Sequence, residues 1–412
     1  MERNSSPKVG CPPVGFDTLT WTPRARQLHS RAELKRQTGS YQASVPASIA
    51  QWTPELSAAD SADIEDATRR LVEFDHHANA TLTSGNAAFP PMVAILLRTE
   101  SASSSQIEQL TASAGQIALA EISRSDRSNA QTIVGNVRAM EAALTIGDAI
   151  SEQTVLDIHQ ALMSHQQGFN PSEAGSYRRE QVWIGAGVAG PRGADFVPPH
   201  HDRIAEAMSD LMRFIERDDL PVLVQAATAH AQFETIHPFV DGNGRTGRAL
   251  VHSILRLKEV ITHTAVPLSA GLLAALDGYF DALGSFRNGD AGPIIRQFAQ
   301  AARSAAKSGT QLVDDLLAAL ELGRLQLEGV RSDAAAWRAL PLFTGQPIVD
   351  LSYLTRTLDI PEMSALRALR TLVERGVIEE VTGRQRGRLW KHPGILQVLD
   401  DYAQGVRRKP VR

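Results

Sequence analysis

The 412 residues hold 42 Lys and Arg against 46 Asp and Glu, a formal net charge of −4, with 43% hydrophobic and 21% charged residues. That balance supplies apolar material for two or three packed domains, and the single cysteine, Cys11, excludes an internal disulfide framework and any cysteine-rich zinc site. No apolar run reaches the ~20 residues of a membrane helix and residues 1–16 lack the apolar stretch of a secretory signal, so a cytoplasmic location with no membrane partner is expected.

Residues 1–40 are polar and proline-rich and read as a loosely ordered arm. Alanine-rich helical patterning then dominates, with helices expected over 63–79, 106–123, 129–150, 152–164 and 202–216. The paired His76-His77 and His200-His201 are adjacent rather than at ligand spacing and read as surface residues. Strand patterning appears within 175–199, where Val182 to Ile184 and Asp195 to Val197 flank a glycine-rich turn and Pro198-Pro199 ends the second strand. Residues 220–236 place a proline at a helix start and apolar residues at helical spacing, which predicts a buried helix. Pro238 interrupts it, since proline lacks the amide donor and disfavours a helical predecessor. His237 is left at a break, free to point into a cleft. Leu250, Ile254 and Leu257 recur at i, i+4 and i+7, predicting a second amphipathic helix that starts near Asn243. Residues 292–336 read as one or two long helices leading to a last module.

The chemistry concentrates in residues 237–248, His-Pro-Phe-Val-Asp-Gly-Asn-Gly-Arg-Thr-Gly-Arg. It combines an acid/base group, a carboxylate, glycines permitting close backbone approach, and two guanidiniums, a mixture suited to a polyphosphate. Gly242, Asn243 and Gly244 fall at a helix N-terminus, where unpaired amides and the dipole favour an anion. Arg245 and Arg248, three apart, project from one face toward it. Gly242, Gly244 and Gly247 also fit G-x-G-x-x-G, but that fingerprint requires a preceding strand, and here a helix precedes it.

Residues 237–248 match the signature H-P-F-x-D-G-N-G-R-x-x-R at all nine fixed positions, and over roughly 60–300 the chain resembles the Fic family. The resemblance implies a mainly α fold: a Fic-type helical core with a β-hairpin flap. It implies that His237 is the general base for a Ser, Thr or Tyr hydroxyl of a protein substrate. Asp241 would hold Mg²⁺ on ATP, and Gly242, Asn243 and Gly244 would cradle the α-phosphate with amides and side chain. Arg245 would steady the phosphates and Arg248 pair with the γ-phosphate, with Thr246 and Gly247 completing the nucleotide-binding set. The reaction implied is transfer of AMP to a protein, with release of pyrophosphate. Residues 96–109 resemble the family's inhibitory motif, with Ser104 and Glu108 in its fixed places and Gln109 where Gly or Asn is usual. By that resemblance Glu108 pairs with Arg248 and blocks the γ-phosphate, or else orients water for removal of AMP. Val182, Trp183, Ile184 and Gly185 resemble the target-docking flap. Residues 268–279 resemble a helix that often carries a nucleotide-contacting Asn; Ala275 stands at that place, and Tyr279 is retained.

The last module, roughly 337–399, reads as helix (351–358), a turn at Ile360-Pro361, a helix capped by Ser364 and closed by Gly376, then a hairpin of 377–381 and 388–390. This resembles a winged helix-turn-helix. From Gly345 onward there are 12 Lys and Arg and 8 Asp and Glu, a net of +4, so the remainder carries −8. Arg367, Arg370, Arg384, Arg386 and Arg388 are candidate DNA contacts, with a protein partner the alternative. The expected division is an arm (1–40), an inhibitory helical region (41–128), a catalytic core (129–300), a linking helix (301–336) and the winged module with its tail (337–412). Helical proteins of this family often self-associate, so a homodimer is a further expectation. The function competing with an enzyme is a nucleotide-sensing regulator; an intact His237 favours the enzyme, because a sensor has no need of a base.

Overall fold

The structure is a computed structural model describing residues 8–23, 30–83, 89–145, 147–164, 166–185, 189–381 and 387–406. β1 (Gly15–Trp21) and β2 (Gly39–Val45) form an antiparallel hairpin, in register from Gly15↔Val45 to Trp21↔Gly39. Between them lies α1 (Arg31–Gln37), capped by Ser30. The loose arm expected over 1–40 is therefore corrected for its described residues. Leu19, Trp21 and Tyr41 take alternate positions on one face and pack with Trp183 and Val197, which is the period-2 burial that holds a strand.

The helices follow in chain order: α2 (Ala58–Thr83), α3 (Phe89–Ile107), α4 (Ala114–Glu121), α5 (Ser128–Leu144), α6 (Glu152–Met163), α7 (Ile204–Glu216), α8 (Val222–Ile236), α9 (Asn243–Leu257), α10 (Leu268–Ala274), α11 (Leu276–Arg287) and α12 (Gly292–Gln326). The single helix expected over 106–123 is two. Gln109 turns left-handed with φ 63° and stops α3, and a reciprocal capping box between Ser113 and Gln116 starts α4. α8 is the axis of the core, with every residue from Leu223 to Ile236 buried. Its alanines let α2, α7, α9, α11 and α12 approach closely. α12 is 35 residues, about 52 Å long, so the linking helix begins inside the core rather than after it.

The C-terminal module comprises α13 (Ala335–Ala339), α14 (Leu342–Gly345), β3 (Ile348–Asp350), α15 (Leu351–Leu358), α16 (Glu362–Glu374), β4 (Glu379–Glu380), β5 (Leu389–Lys391) and α17 (Pro393–Gly405). Helix, turn, helix and hairpin appear in the expected order, with β3 added to give an antiparallel sheet ordered β3-β5-β4. Ser364 is not the cap: α16 starts at Glu362 behind Pro361, and Ser364 lies in its first turn. The module rests on the core through α14 against α3 and α17 against α12. Buried Arg98 of α3 pairs with Glu121 and donates to Gln346 Oε1 at 3.0 Å. Gln346 Nε2 donates to Ala118 O at 2.7 Å, and Arg124 pairs with Asp350 at 2.7 Å. Among the described residues no helix is long and apolar enough to cross a membrane.

Candidate active site

α8 runs directly into His237, which caps it in the left-handed region at φ 50°, ψ 61°. A residue with a Cβ is strained there by about 1–2 kcal/mol, and Arg178 holds it in place. The guanidinium donates to His237 O (2.9 Å), Glu180 O (2.8 Å) and Pro199 O (2.6 Å), and the Arg178 amide donates to Pro238 O (2.9 Å). Burial pushes the Arg178 side chain down to about 10. The loop after His237 is fixed from beneath by His159, whose ring stacks on Phe239 at 3.7 Å. His159 Nδ1 accepts from Gly175 N at 3.0 Å, so the proton sits on Nε2, which faces Asp241 O at 3.1 Å. Burial drops His159 to about 4, consistent with that neutral tautomer. Neither Arg178 nor His159 was singled out in the sequence, and the Tyr-Arg of the flap was the available signal for the first.

Gly242 is the N-cap of α9 at φ 76°, and a Cβ there would meet Leu162 and Met163 at 3.0 Å. The expected loop at a helix N-terminus is present. Asn243 uses its whole carboxamide on Phe239, accepting from its N and donating to its O, each at 2.9 Å. Its side chain therefore closes the loop, leaving the amides for an anion, a correction to the expected contact. Thr246 and Gly247 are also corrected. Both are buried on the far side of α9 and do not line the cleft, and a Cβ on Gly247 would strike Phe233 at 2.9 Å and His230 at 3.2 Å.

His237, Asp241, Gly242, Asn243, Gly244, Arg245 and Arg248 line one cleft of about 520 Å³, with Glu108, Gln166, Tyr279 and Phe280 opposite. Asp241 is half-exposed; Gly242 N donates to its Oδ1 at 2.6 Å and Gln166 Nε2 to its Oδ2 at 2.5 Å. Gln166 Oε1 accepts from Arg245 Nη1 at 3.1 Å. Arg245 Nη2 lies 3.6 Å from Asp241 Oδ1, and a half-exposed carboxylate at the cleft suits a hard divalent cation. Tyr279 is buried and shares a 2.7 Å hydrogen bond with His230 Nε2, and Ala275 marks the break between α10 and α11.

Ser104 and Glu108 meet the motif arginines. Arg248 donates to Ser104 Oγ (2.8 Å), Ser104 O (2.9 Å) and Glu108 Oε1 (2.9 Å). Glu108 Oε2 also lies 2.6 Å from Arg245 Nε, so the carboxylate bridges both arginines, where pairing with Arg248 alone was expected. One turn back on α3, fully buried Glu100 faces His252 Nε2 at 3.1 Å and accepts from Ser269 N at 2.9 Å. Glu100, Ser104 and Glu108 thus form successive rungs against α9, of which the Glu100 rung was not expected.

The flap is narrower than two paired strands. A single bridge joins Ile184 and Phe196, Gly185 is at φ 94°, and 186–188 lie outside the described residues. Val182 leads into Trp183, whose ring packs edge-on against Trp21 at 5.3 Å, and β2 reaches it through Ser44 N to Val197 O at 2.9 Å. His200 and His201, expected as plain surface residues, are each about a third exposed and group with Asp202, their ligand atoms within 4.8 Å of one another. In the C-terminal module Arg367 and Arg370 are exposed on α16. Arg388 is paired with Glu380 and lies over Trp390, so its charge is already neutralised, against the expected phosphate contact. Arg384 and Arg386 lie outside the described residues.

The geometry is a helix–loop–helix with a histidine at the break and two arginines on the second helix. Residues 149–255 match the model of the Fic/DOC family. Protein adenylyltransferase Fic of Drosophila erecta is 31% identical over 122 residues, which are 29% of this chain and 22% of that protein. Its counterpart in Nematostella vectensis is 29% identical over 152 residues, 36% of this chain and 31% of that one. The match therefore spans less than a third of either relative. A crystal structure of a Fic family protein from Desulfovibrio desulfuricans G20 superposes with a TM-score of 0.52 at 22% identity, covering 82% of this chain and 97% of that one. Over residues 149–255 the chain is thus similar to the Fic/DOC family, and its mainly helical architecture is that of the superposed Fic family structure.

Proposed function

We propose that the protein transfers AMP from ATP to a Ser, Thr or Tyr hydroxyl of a target protein, and that Glu108 restrains it. The observation carrying this is the convergence of His237, Asp241, the amides of 242–244 and two buried arginines on one cleft. In the step, His237 takes the hydroxyl proton, the oxygen bonds to the α-phosphorus, and the bond from that phosphorus to the bridging oxygen breaks to release pyrophosphate. Such transfers depend mainly on alignment and on charge stabilisation by fixed donors. The α9 amides meet charge on the α-phosphate, and Arg245 and Arg248 meet the outer phosphates. Asp241 is the residue that would hold Mg²⁺, which when bound neutralises phosphate charge. The flap, braced by Trp21, would hold the target segment beside His237.

Restraint follows from the same contacts. Glu108 occupies both guanidiniums that the outer phosphates need, so productive ATP binding must first displace it. Incubation with α-labelled ATP tests the proposal: the Glu108→Gly protein labels itself or a target, and the Glu108→Gly, His237→Ala protein does not. Absence of label from the first protein would overturn it. Arg367 and Arg370, exposed on the second helix of a helix-turn-helix, support assigning duplex DNA as the partner of the C-terminal module.

A further inference from the structure

Glu234 sits three residues before His237 in the last turn of α8 and has no part in the steps above. Its side chain is buried, and Oε2 lies 3.7 Å from His237 Nδ1. His237 Nδ1 is itself fully buried and has no hydrogen-bond partner, while the same ring lines the cleft. The imidazole therefore has an inner nitrogen against a carboxylate and an outer one for the target hydroxyl. The left-handed backbone of His237, pinned by Arg178 at its carbonyl, keeps the ring in this position. A separation of 3.7 Å exceeds a hydrogen bond, and contacts of this kind commonly tighten once substrate is bound.

The other charged and titratable groups around Glu234 leave it available to the imidazole. His230 lies one turn earlier on α8, with its Nε2 engaged by Tyr279 of α11. Arg248 of α9 directs its donors to Ser104 and Glu108. Arg287 of α11 donates to the Glu234 main-chain oxygen at 3.2 Å rather than to the carboxylate. Burial alone would raise the carboxyl, but the imidazoles of His237 and His230 and the Arg248 guanidinium hold it at about 2. It is ionised throughout the range in which an enzyme works.

We infer that Glu234 is a positioning residue for His237, keeping the ring proton on Nδ1 so that the Nε2 lone pair faces the target hydroxyl. This rests on the adenylyl-transfer reading. In the reaction the hydroxyl proton moves to Nε2 as the oxygen–phosphorus bond forms and pyrophosphate departs. The Nδ1 proton stays on nitrogen, Glu234 stays ionised, and the imidazolium is stabilised beside it. The proton on Nε2 then passes to water.

The test uses the full chain in the Glu108→Gly background. Ring ¹⁵N spectra of the parent show His237 protonated at Nδ1; a proton on Nε2 in the parent would overturn the inference without any assay of transfer. In Glu234→Gln the tautomers mix, kcat for label transfer falls by about 100-fold or more, and KM for ATP stays within about twofold. Thermal melting confirms that this near-isosteric variant is folded. Unchanged spectra with kcat within about threefold of the parent would overturn the proposal. A parent with the Nδ1 tautomer that transfers no label would instead sink the adenylyl-transfer reading and leave the pair intact.

Discussion

Replacing Glu108 with alanine should move affinity and stability in opposite directions. The carboxylate makes charge-assisted contacts at 2.6 Å to Arg245 and 2.9 Å to Arg248, and is 27% exposed while the arginines are 2% and 3% exposed. The hydrogen bond from Arg248 is worth about 1.5–3 kcal/mol, and the Arg245 contact is an ion pair whose Nε is not aligned to donate and adds up to about 1 kcal/mol; about 3 kcal/mol is a fair sum for both. On the proposed reading that is the work a γ-phosphate must do to displace Glu108, so its removal should tighten ATP binding roughly 100-fold. The same change takes the nearest carboxylate from two buried guanidiniums, leaving Arg248 to Ser104 and Arg245 to Gln166 and the longer 3.6 Å contact with Asp241, which destabilises the nucleotide-free protein by on the order of 3 kcal/mol. The alanine variant should therefore melt below the native protein without nucleotide and gain far more from Mg-ATP, because a ligand stabilises in proportion to its affinity. Melting curves with and without Mg-ATP, alongside label incorporation, read both effects. Equal ATP-induced shifts in the two proteins would refute the competition argument.

Further outcomes follow from other contacts. Gln109 bears φ 63°, so Gln109→Gly should raise unfolding stability by about 1 kcal/mol, read by denaturant titration. Burial holds His159, His230 and His392 down at about 4. Their folded values lie below the unfolded value, so their contribution is complete above about pH 6.5 and is lost as pH falls toward 4, up to about 3 kcal/mol each. Circular dichroism against pH should show stability declining through that window, and a flat profile would contradict it. Trp21→Ala removes the brace under Trp183; target labelling should rise in KM several-fold while ATP binding, measured by calorimetry, holds. Replacing Arg367 and Arg370 with alanine should lower the salt slope of duplex DNA binding by about 2; a native protein with no salt-sensitive binding removes the DNA assignment.

The motif was readable because its residues act within one local break and one helix start, where spacing along the chain is spacing in space. Pro238, the glycines and the i, i+3 arginines specify that geometry without tertiary help. Ser104 and Glu108 were found by wording, but the sequence could not reveal that Glu108 spans both arginines, since that depends on how α3 crosses α9. Asn243 looked like an anion ligand because a carboxamide can serve a ligand or its own loop, and only the fold shows Phe239 taking both its groups. The β1–β2 hairpin was masked by the prolines around it. Its strands are held by Trp183 and Val197, more than 130 residues away, and no local pattern carries that contact. Helix breaks at Gln109 and Ala275 were missed because apolar periodicity continues across them.

α3 is gripped from two sides. Glu100, Ser104 and Glu108 hold it to α9, while Arg98 ties it, through Gln346 and Glu121, to the C-terminal module. One rigid rod shared by two clients makes their occupancies thermodynamically linked. Any macromolecule that binds the module and favours a shifted α3 must ease Glu108 from the arginines, and nucleotide that expels Glu108 must strengthen that macromolecule's binding by the same factor.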